Sequence, residues 1–206
     1  MSLFISFFYD KVMAATEEAC LREWRKQLLA PVHGIVMEIG AGTGANIAFY
    51  SDKVEQLILS EPDKDMRKKL QTRLADSGFN NASISAASAE DIDAEDNTFD
   101  FISASLVCCS VICPHTALLE IKRVLKPGGK LIFLEHVAAE EGSRRRTWQN
   151  RFNPFWRAVA GNCHLNRDTE NSILEAGFEI REIQRESLRK AMPLVRPSIR
   201  GIAAKP

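Results

Sequence analysis

The sequence predicts an α/β protein built on a doubly wound, mostly parallel sheet with an antiparallel strand at its C-terminal end. Three observations predict it. Short apolar runs alternate with helical stretches of about ten residues. The first strong run, Val36-Met37-Glu38-Ile39, enters a turn with glycines at alternate positions, Gly40, Gly42 and Gly44, and then a helix-compatible stretch. The last two runs are joined by a connection too short for a helical crossover, so they pair antiparallel.

Each element has its own signal. From Phe4 to about Leu29 the period is helical: Phe4, Phe8 and Val12 share a face, and Cys20, Trp24 and Leu28 follow at i, i+4 and i+8. Residues 1–30 are therefore expected to form a pair of amphipathic helices, packed on the domain or closing over a site as a lid, and Pro31 and Gly34 end them. Ile35 to Ile39 is the first strand, Asn46 to Tyr50 opens the first helix, and Val54 to Ser60 is the second strand. Asp63 to about Ala75 is helical, with Asp63 as its start signal and Gly78 as its stop.

Ala82 to Ala86 is a third, weaker strand, followed by the acidic loop Ser88-Ala89-Glu90-Asp91-Ile92-Asp93. Phe99 to Ser103 is the fourth strand and runs into Leu106-Val107-Cys108-Cys109-Ser110-Val111. A helix from about His115 to Val124, the turn Lys126-Pro127-Gly128-Gly129 and a fifth strand from Lys130 to His136 come next. Residues 138–167 form an insert on the substrate side, carrying Arg144-Arg145-Arg146 and the aromatics Trp148, Phe152, Phe155 and Trp156, which suit a core or a lid over an apolar acceptor. A helix from Asp168 to Ala176, stopped by Gly177, and closing strands at Phe178 to Arg185 and Ile199 to Ala203 complete one domain, 1–206.

Size and composition bound the function. A chain of 206 residues with 45% apolar side chains is one well-buried domain, and 27 acidic against 27 basic residues give no argument for a nucleic-acid partner. The five cysteines, Cys20, Cys108, Cys109, Cys113 and Cys163, contain no Cys-x-x-Cys pair, and Cys108 to Cys113 with His115 only loosely imitates a zinc site, so no metal is expected. An odd set of thiols suits a reducing, cytoplasmic setting. The apolar start Leu3 to Phe8 lacks the basic residues and cleavage site of a signal peptide and is far shorter than the roughly 20 residues that span a bilayer.

The glycine turn has two readings. Dinucleotide folds use Gly-x-Gly-x-x-Gly after the first strand, whereas here the glycines strictly alternate. In an open parallel sheet the ligand lies beyond the carboxyl ends of the strands, which here supply Gly40 to Gly44, Glu61 and the Ser88 to Asp91 loop. Glu61 follows the glycines by about twenty residues, where a carboxylate can accept from both hydroxyls of a ribose. Its alternative is a solvent-facing helix cap, a role for which Asp63 is the nearer candidate. No Lys or Arg occurs between Pro31 and Tyr50, as suits a cationic ligand.

Glu38-x-Gly40-x-Gly42-x-Gly44, Glu61, the Ala89-Glu90-Asp91 loop and Arg123-Val124-Leu125-Lys126-Pro127-Gly128-Gly129 together resemble the class I S-adenosylmethionine-dependent methyltransferases, whose sheet is Rossmann-like. The resemblance is closest to the small-molecule branch that includes ubiquinone/menaquinone C-methyltransferases. Leu106 to Val111, Leu134-Glu135-His136-Val137 and Gly161-Asn162-Cys163-His164-Leu165-Asn166-Arg167 narrow it to the methyltransferase-like protein 7 group, animal thiol S-methyltransferases, and their bacterial relatives. It implies S-adenosyl-L-methionine as cofactor. Gly40, Ala41, Gly42 and Gly44 would contact its methionine end, with Glu38 and Asn46 belonging to the same pocket. Glu61 and Pro62 would meet the ribose, and Ser88, Ala89 and Glu90 would border the adenine. Leu106 would hold the amino group through its backbone, and Ser88 stands where many relatives carry an acidic residue.

The acceptor implied is a small, fairly apolar molecule, with a thiol first, and carbon methylation of a quinone precursor or nitrogen methylation of a phospholipid headgroup as rivals. A non-catalytic cofactor-binding protein and a nicotinamide-dependent oxidoreductase are the readings from other classes. Candidates to line the acceptor pocket are Cys108, Cys109, Glu135, His136, Trp148, His164 and Asn166, with Asp91 at the cofactor edge and Tyr9 from the N-terminal segment; Asp91, His136 and His164 are the candidate catalytic groups. Glu135 and His136 are neighbours on a strand and point to opposite faces. Residues 140–206 hold 13 basic against 8 acidic side chains. That excess suits a solvated face, an anionic substrate, or peripheral membrane contact through residues 1–12 or the insert. A monomer or homodimer is expected.

Overall fold

The computed structural model describes residues 3–206, with side chains from residue 10 onward, so Phe4, Phe8 and Tyr9 lie outside the described side chains. The N-terminal segment is one helical run rather than two separate helices: α1 (Leu3–Thr16) passes through a π turn at Glu17–Leu21 into α2 (Arg22–Leu29), with right-handed helical dihedrals at Thr16 and Leu21. The π turn resets the phase, burying Cys20, Leu21 and Trp24 while Val12 stays exposed. Among the described residues no helix is long and apolar enough to cross a membrane.

Seven strands follow: β1 (Gly34–Ile39), β2 (Val54–Ser60), β3 (Ala82–Ser85), β4 (Phe99–Ser105), β5 (Leu125–His136), β6 (Glu179–Ser187) and β7 (Pro197–Ala204). They form one sheet in the order β3-β2-β1-β4-β5-β7-β6, parallel except that β7 runs antiparallel to β5 and β6. The closing strands thus pair as the sequence predicts. Chain order reverses between β1 and β4, which opens a crevice at their carboxyl ends.

The helices on the two faces are α3 (Lys64–Ser77), α4 (Pro114–Val124), α5 (Arg144–Val159) and α6 (Thr169–Glu175). Asp63 starts α3 by accepting from the amides of Asp65 and Met66 at 3.0 Å, a cap worth about 1 kcal/mol. Alternation along the strands splits the core. Met37, Ile39, Ile102, Ala104 and Phe133 pack with Leu118 and Ile121 of α4, and Val36, Leu57, Leu59, Phe101 and Ile132 pack with Leu29 of α2 and Leu70 of α3.

Three local expectations are corrected. Asn46 to Tyr50 does not open a regular helix; it makes a single 3-10 turn, Ile47–Phe49, because Asn46 and Tyr50 direct their polar groups at Glu38 inside the domain. Lys126 to Gly129 is not a free turn but a bulge within β5, since Phe99 pairs with Leu125 and Phe101 with Lys130. Of the four insert aromatics, Trp148, Phe152 and Phe155 of α5 are exposed rather than core, at positions i, i+4 and i+7 of one face, and Trp156 is partly buried.

Candidate functional site

The site grows from β1. Strand alternation turns Glu38 toward α2, where it is 3% exposed. It accepts from Asn46 Nδ2 at 3.0 Å and from Tyr50 OH at 2.9 Å. Asn46 in turn accepts from Arg25 Nη1 at 2.7 Å, and Tyr50 OH lies 2.6 Å from Ser103 Oγ. Burial pushes the Glu38 carboxyl up to about 7, against the opposing pull of Tyr50, Arg25 and Asn46. Glu38 and Asn46 therefore act from behind the glycine turn: both are buried, and their polar atoms are committed to one another and to Tyr50 and Arg25.

Gly40, Gly42 and Gly44 all have positive φ, 60°, 58° and 86°, and the space around them separates packing from ligand access. A Cβ on Gly40 would fall 2.6 Å from Val107, so the glycine turn and the segment after β4 are in direct contact. One on Gly44 would meet Ile47 at 2.7 Å and Leu70 at 3.0 Å. One on Gly42 would meet only the Gly40 carbonyl at 4.0 Å. Gly42 borders open space.

Replacing Gly44 by alanine is thus expected to lower stability by roughly 1–3 kcal/mol through overpacking. Gly42→Ala should cost about 1 kcal/mol of stability from its left-handed backbone and weaken ligand binding more than Gly44→Ala does. Melting temperature and calorimetric affinity, measured on both variants, separate the two effects. Equal losses of affinity at equal stability would remove the distinction.

Glu61 follows β2 directly and faces this turn, 6% exposed. One carboxylate oxygen accepts from the Gly42 amide at 2.9 Å, the other from the Asp63 amide at 2.8 Å. Burial raises its pKa, and the two amides and Arg67 pull it back. Glu61 does not cap α3, because Asp63 does. Arg67 takes the carbonyls of Glu61 and Pro62 at 2.7 and 2.6 Å, fixing the bend that carries them. Across the crevice Ser60 Oγ donates to Ala87 O at 2.6 Å, and a cleft lined by Ser85, Ser88, Asp91 and Ile92 lies beyond β3. Ala89 is buried there, and Glu90 accepts from the Ile112 amide at 2.7 Å, tying this loop to the one after β4.

The turn's lack of basic residues in sequence is offset in space. Thr43 Oγ1 donates to Asp10 of α1 at 2.6 Å, and Arg73 of α3 lies 3.4 Å from Thr43 and 3.6 Å from Asp10. These contacts bring the N-terminal helix onto the glycine turn.

Leu106 follows β4 with φ 60°, a left-handed backbone that costs an ordinary residue about 1–2 kcal/mol. Its amide donates to Leu134 O at 2.7 Å. The carboxylate of Glu135, fully buried, accepts from the amides of Val107 and Cys108 at 2.9 and 3.0 Å, and burial pushes it up to about 7. Glu135 thus shapes the turn after β4, and His136 points the other way, as strand geometry requires.

His136 is buried, its Nε2 lies 3.0 Å from Cys163 Sγ, and its Nδ1 has no hydrogen-bond partner among the described residues. Burial pulls its pKa down, but the Cys163 thiol and Glu135 outweigh that and leave it raised. Partial burial and Arg167 and Arg157 push His164 down to about 4. The backbone of His164 donates to Cys109 O at 2.7 Å, so both histidines flank Cys109. Asp91 is exposed, and among the described residues no hydrogen bond or ion pair joins it to either histidine.

Asn166 donates to Asn150 at 2.8 Å, and Trp148 stacks on Phe152 at the surface. Sequence reasoning missed one juxtaposition: Cys109, His136 and Cys163 bring one ligand-type atom each to within 4.8 Å of one another. They come from three elements, and His136 and Cys163 stand 27 residues apart, beyond any local motif.

This arrangement suits a nucleoside with a cationic amino-acid arm. Open space stands over Gly42, a carboxylate faces it from β2, and a strained backbone at Leu106 turns toward the crevice. Comparison with known proteins agrees. A family profile described as a methyltransferase domain matches residues 37–133. The chain is 34% identical over 195 residues to thiol S-methyltransferase TMT1B of Homo sapiens, covering 88% of this chain and 78% of that one. It is 35% identical over 117 residues to the ubiquinone/menaquinone biosynthesis C-methyltransferase UbiE of Shewanella frigidimarina, covering 55% and 47%. The chain spans from 62% to 78% of the length of TMT1B proteins.

The fold is also similar to that of a geranyl diphosphate methyltransferase in complex with S-adenosylmethionine, with TM-score 0.72 at 11% identity, over 89% of this chain and 84% of that one. The methyltransferase-domain profile and the relatives named as methyltransferases make S-adenosylmethionine the cofactor. By its fold, its glycine turn and a relative 34% identical over 88% of it, the chain belongs to the class I S-adenosylmethionine-dependent methyltransferases.

Proposed function

We propose that this methyltransferase methylates the sulfur of a small, fairly apolar thiol. One observation carries the choice of acceptor: the likeness to the human thiol S-methyltransferase TMT1B takes in 88% of the chain, too much to omit the internal stretch 138–167, whereas the likeness to UbiE takes in 55%. On this reading the stretch 138–167, expected on the substrate side, has a counterpart in an enzyme named for thiols. The UbiE likeness supports carbon methylation of a quinone precursor as the second reading.

Bound S-adenosylmethionine supplies an electrophilic methyl group for an acceptor lone pair. On this reading the chain's own residues hold and orient. Glu61 accepts from the ribose hydroxyls with its remaining lone pairs, with Pro62 beside it. The backbone of Gly40, Ala41, Gly42 and Gly44 lines the methionine end, Ser88, Ala89 and Glu90 border the adenine, and the Leu106 carbonyl takes the amino group. Glu38 and Asn46 keep the turn in shape.

A thiol with a pKa near 8.5 needs little help to ionise. The candidates to accept its proton are His136, His164 and Asp91. His164 is neutral at pH 7 and therefore free to accept, though its low basicity makes it a weak base. His136 is the more basic of the two histidines. Arg167, half buried beneath the turn after β4, adds positive potential that favours a thiolate.

The exposed face of α5, with Trp148, Phe152 and Phe155 flanked by Arg144, Arg145 and Arg151, supports peripheral contact with a membrane that holds apolar thiols. A panel of aliphatic and aromatic thiols, incubated with protein and S-adenosylmethionine and read by mass spectrometry, tests the acceptor. Methylated thiol well above the enzyme-free rate is expected. Its absence beside methylation of a quinone precursor would move the assignment to carbon.

A further inference from the structure

We propose that Cys109, His136 and Cys163 bind one thiophilic divalent ion of the zinc type, leaving its fourth coordination position for an exogenous thiolate. The choice of thiolate as fourth ligand rests on the thiol reading above; the metal site itself does not, and with the ion bound His136 is a ligand rather than a base, which leaves His164 and Asp91 to take the thiol's proton.

The donor set is two thiols and one imidazole, a combination that catalytic zinc centres complete with an outside ligand. The dimensions fit. Zinc bonds of about 2.3 Å to sulfur and about 2.0 Å to nitrogen, at tetrahedral angles, put the donor atoms about 3.5 to 3.8 Å apart. The three atoms here lie within 4.8 Å of one another, with His136 Nε2 at 3.0 Å from Cys163 Sγ, so small side-chain rotations suffice.

Each donor is held by its surroundings. Arg167 spans the turn that carries Cys109, donating to Cys108 O at 2.5 Å and Val111 O at 2.6 Å. The His164 amide fixes Cys109 O at 2.7 Å, and Asn162 beside Cys163 donates to Ser110 O at 2.8 Å. His136 ends a central strand of the sheet. The trio therefore needs little reorganisation to close on an ion.

Burial argues the same way. His136 is 5% exposed, yet among the described residues its only hydrogen-bonding partner is a thiol, a weak one, and its other nitrogen has none. An ion in place of the thiol proton would compensate that imidazole far better. Cys109 is buried and Cys163 partly exposed, so an ion and a fourth ligand can enter from the Cys163 side. Two thiolates and a neutral imidazole would cancel the charge of a divalent ion, and Arg167 would meet the added charge of a third sulfur. The site also adjoins the glycine turn, because Val107, two residues before Cys109, is the residue that abuts Gly40.

The test uses full-length protein purified in a phosphine reductant and stripped by dialysis against a chelator. Titration with Zn²⁺ against a chromophoric competitor should reveal one tight equivalent. Cys109→Ser and Cys163→Ser should each weaken it by more than about a hundredfold, and Cys113→Ser should leave it unchanged. In wild type, Co²⁺ should give the thiolate charge-transfer and intense visible bands of a tetrahedral sulfur site, a readout that does not depend on the variants folding.

Adding a small thiol to the Co²⁺ protein should shift those bands. No stoichiometric binding, or binding that survives both serine variants, overturns the site. Bands that ignore added thiol overturn the fourth-ligand assignment. Failure of the thiol panel with metal binding intact would count against the acceptor reading and leave the ion site standing.

Discussion

Glu61→Ala should weaken S-adenosylmethionine binding by on the order of 2–4 kcal/mol, the worth of two charge-assisted hydrogen bonds, or roughly 30- to 900-fold in Kd. The carboxylate is nearly buried and faces the open side of the glycine turn, while each oxygen keeps lone pairs beyond those given to the amides of Gly42 and Asp63. Alanine removes the acceptors for the ribose and releases the Gly42 amide at once. Glu61→Gln keeps one acceptor and should recover part of the loss. Calorimetric titration of both variants, with melting temperatures to confirm folding, checks this. A wild-type Kd for the alanine variant would show that Glu61 does not hold the ribose.

Much of this fold was legible in the sequence because its signals are local. Val54 to Ser60 was bounded by composition alone, and Asp63 and Gly78 marked the ends of α3 through the physics of caps and left-handed glycine. Expectation failed where a distant partner decided the outcome. Asn46 and Tyr50 are plausible helix residues until Glu38 claims their polar groups. The aromatics of α5 look like core because sequence reports apolarity, not which side of a helix meets the sheet.

The strongest family mark, Arg123 to Gly129, sits at the end of the sheet opposite the crevice. There Arg123 ties down the carbonyls of Ile92 and Ala94, and Lys126 pairs with Asp100 at 2.7 Å. What identifies the family thus stabilises the frame, while the candidate acceptor-side residues come from scattered elements with no common spacing. Cys109, His136 and Cys163 are the extreme case, a cluster only the fold assembles.

Stability should fall, not rise, between about pH 5 and pH 8. Glu38 and Glu135 are both buried, and burial lifts each from 4.5 to about 7. A carboxyl whose folded pKa exceeds its unfolded value holds its proton more tightly in the native state. The native chain then binds more protons between 4.5 and about 7, and stability declines as pH rises through that window. At 1.36 kcal/mol per pKa unit, each carboxyl contributes on the order of 3 kcal/mol that is fully present below 4.5 and gone above 7. Asp63, Asp100 and Glu120 have lowered pKa values and act in the opposite sense, but only as pH drops below their unfolded values near 4, outside the window. Inside it, the partly exposed His164, lowered from 6.5 to about 4, opposes the fall up to pH 6.5, while the raised His136 and Glu61 add to it, so the two buried carboxyls set the sign.

Urea unfolding at pH 5, 6, 7 and 8 should therefore show several kcal/mol more stability at the acid end. Glu38→Gln should flatten about half of that slope, because the amide cannot ionise and Tyr50 can turn its hydroxyl toward Ser103 to accept from the new NH₂ group. Glu135→Gln should flatten a similar share: its oxygen still meets the amides of Val107 and Cys108, and its nitrogen replaces a carboxylate oxygen that has no hydrogen-bond partner among the described residues. Stability that is level across this range, or that climbs with pH, would mean that both carboxylates are ionised in the native core and that Asn46, Tyr50 and the turn amides outweigh the cost of burying them.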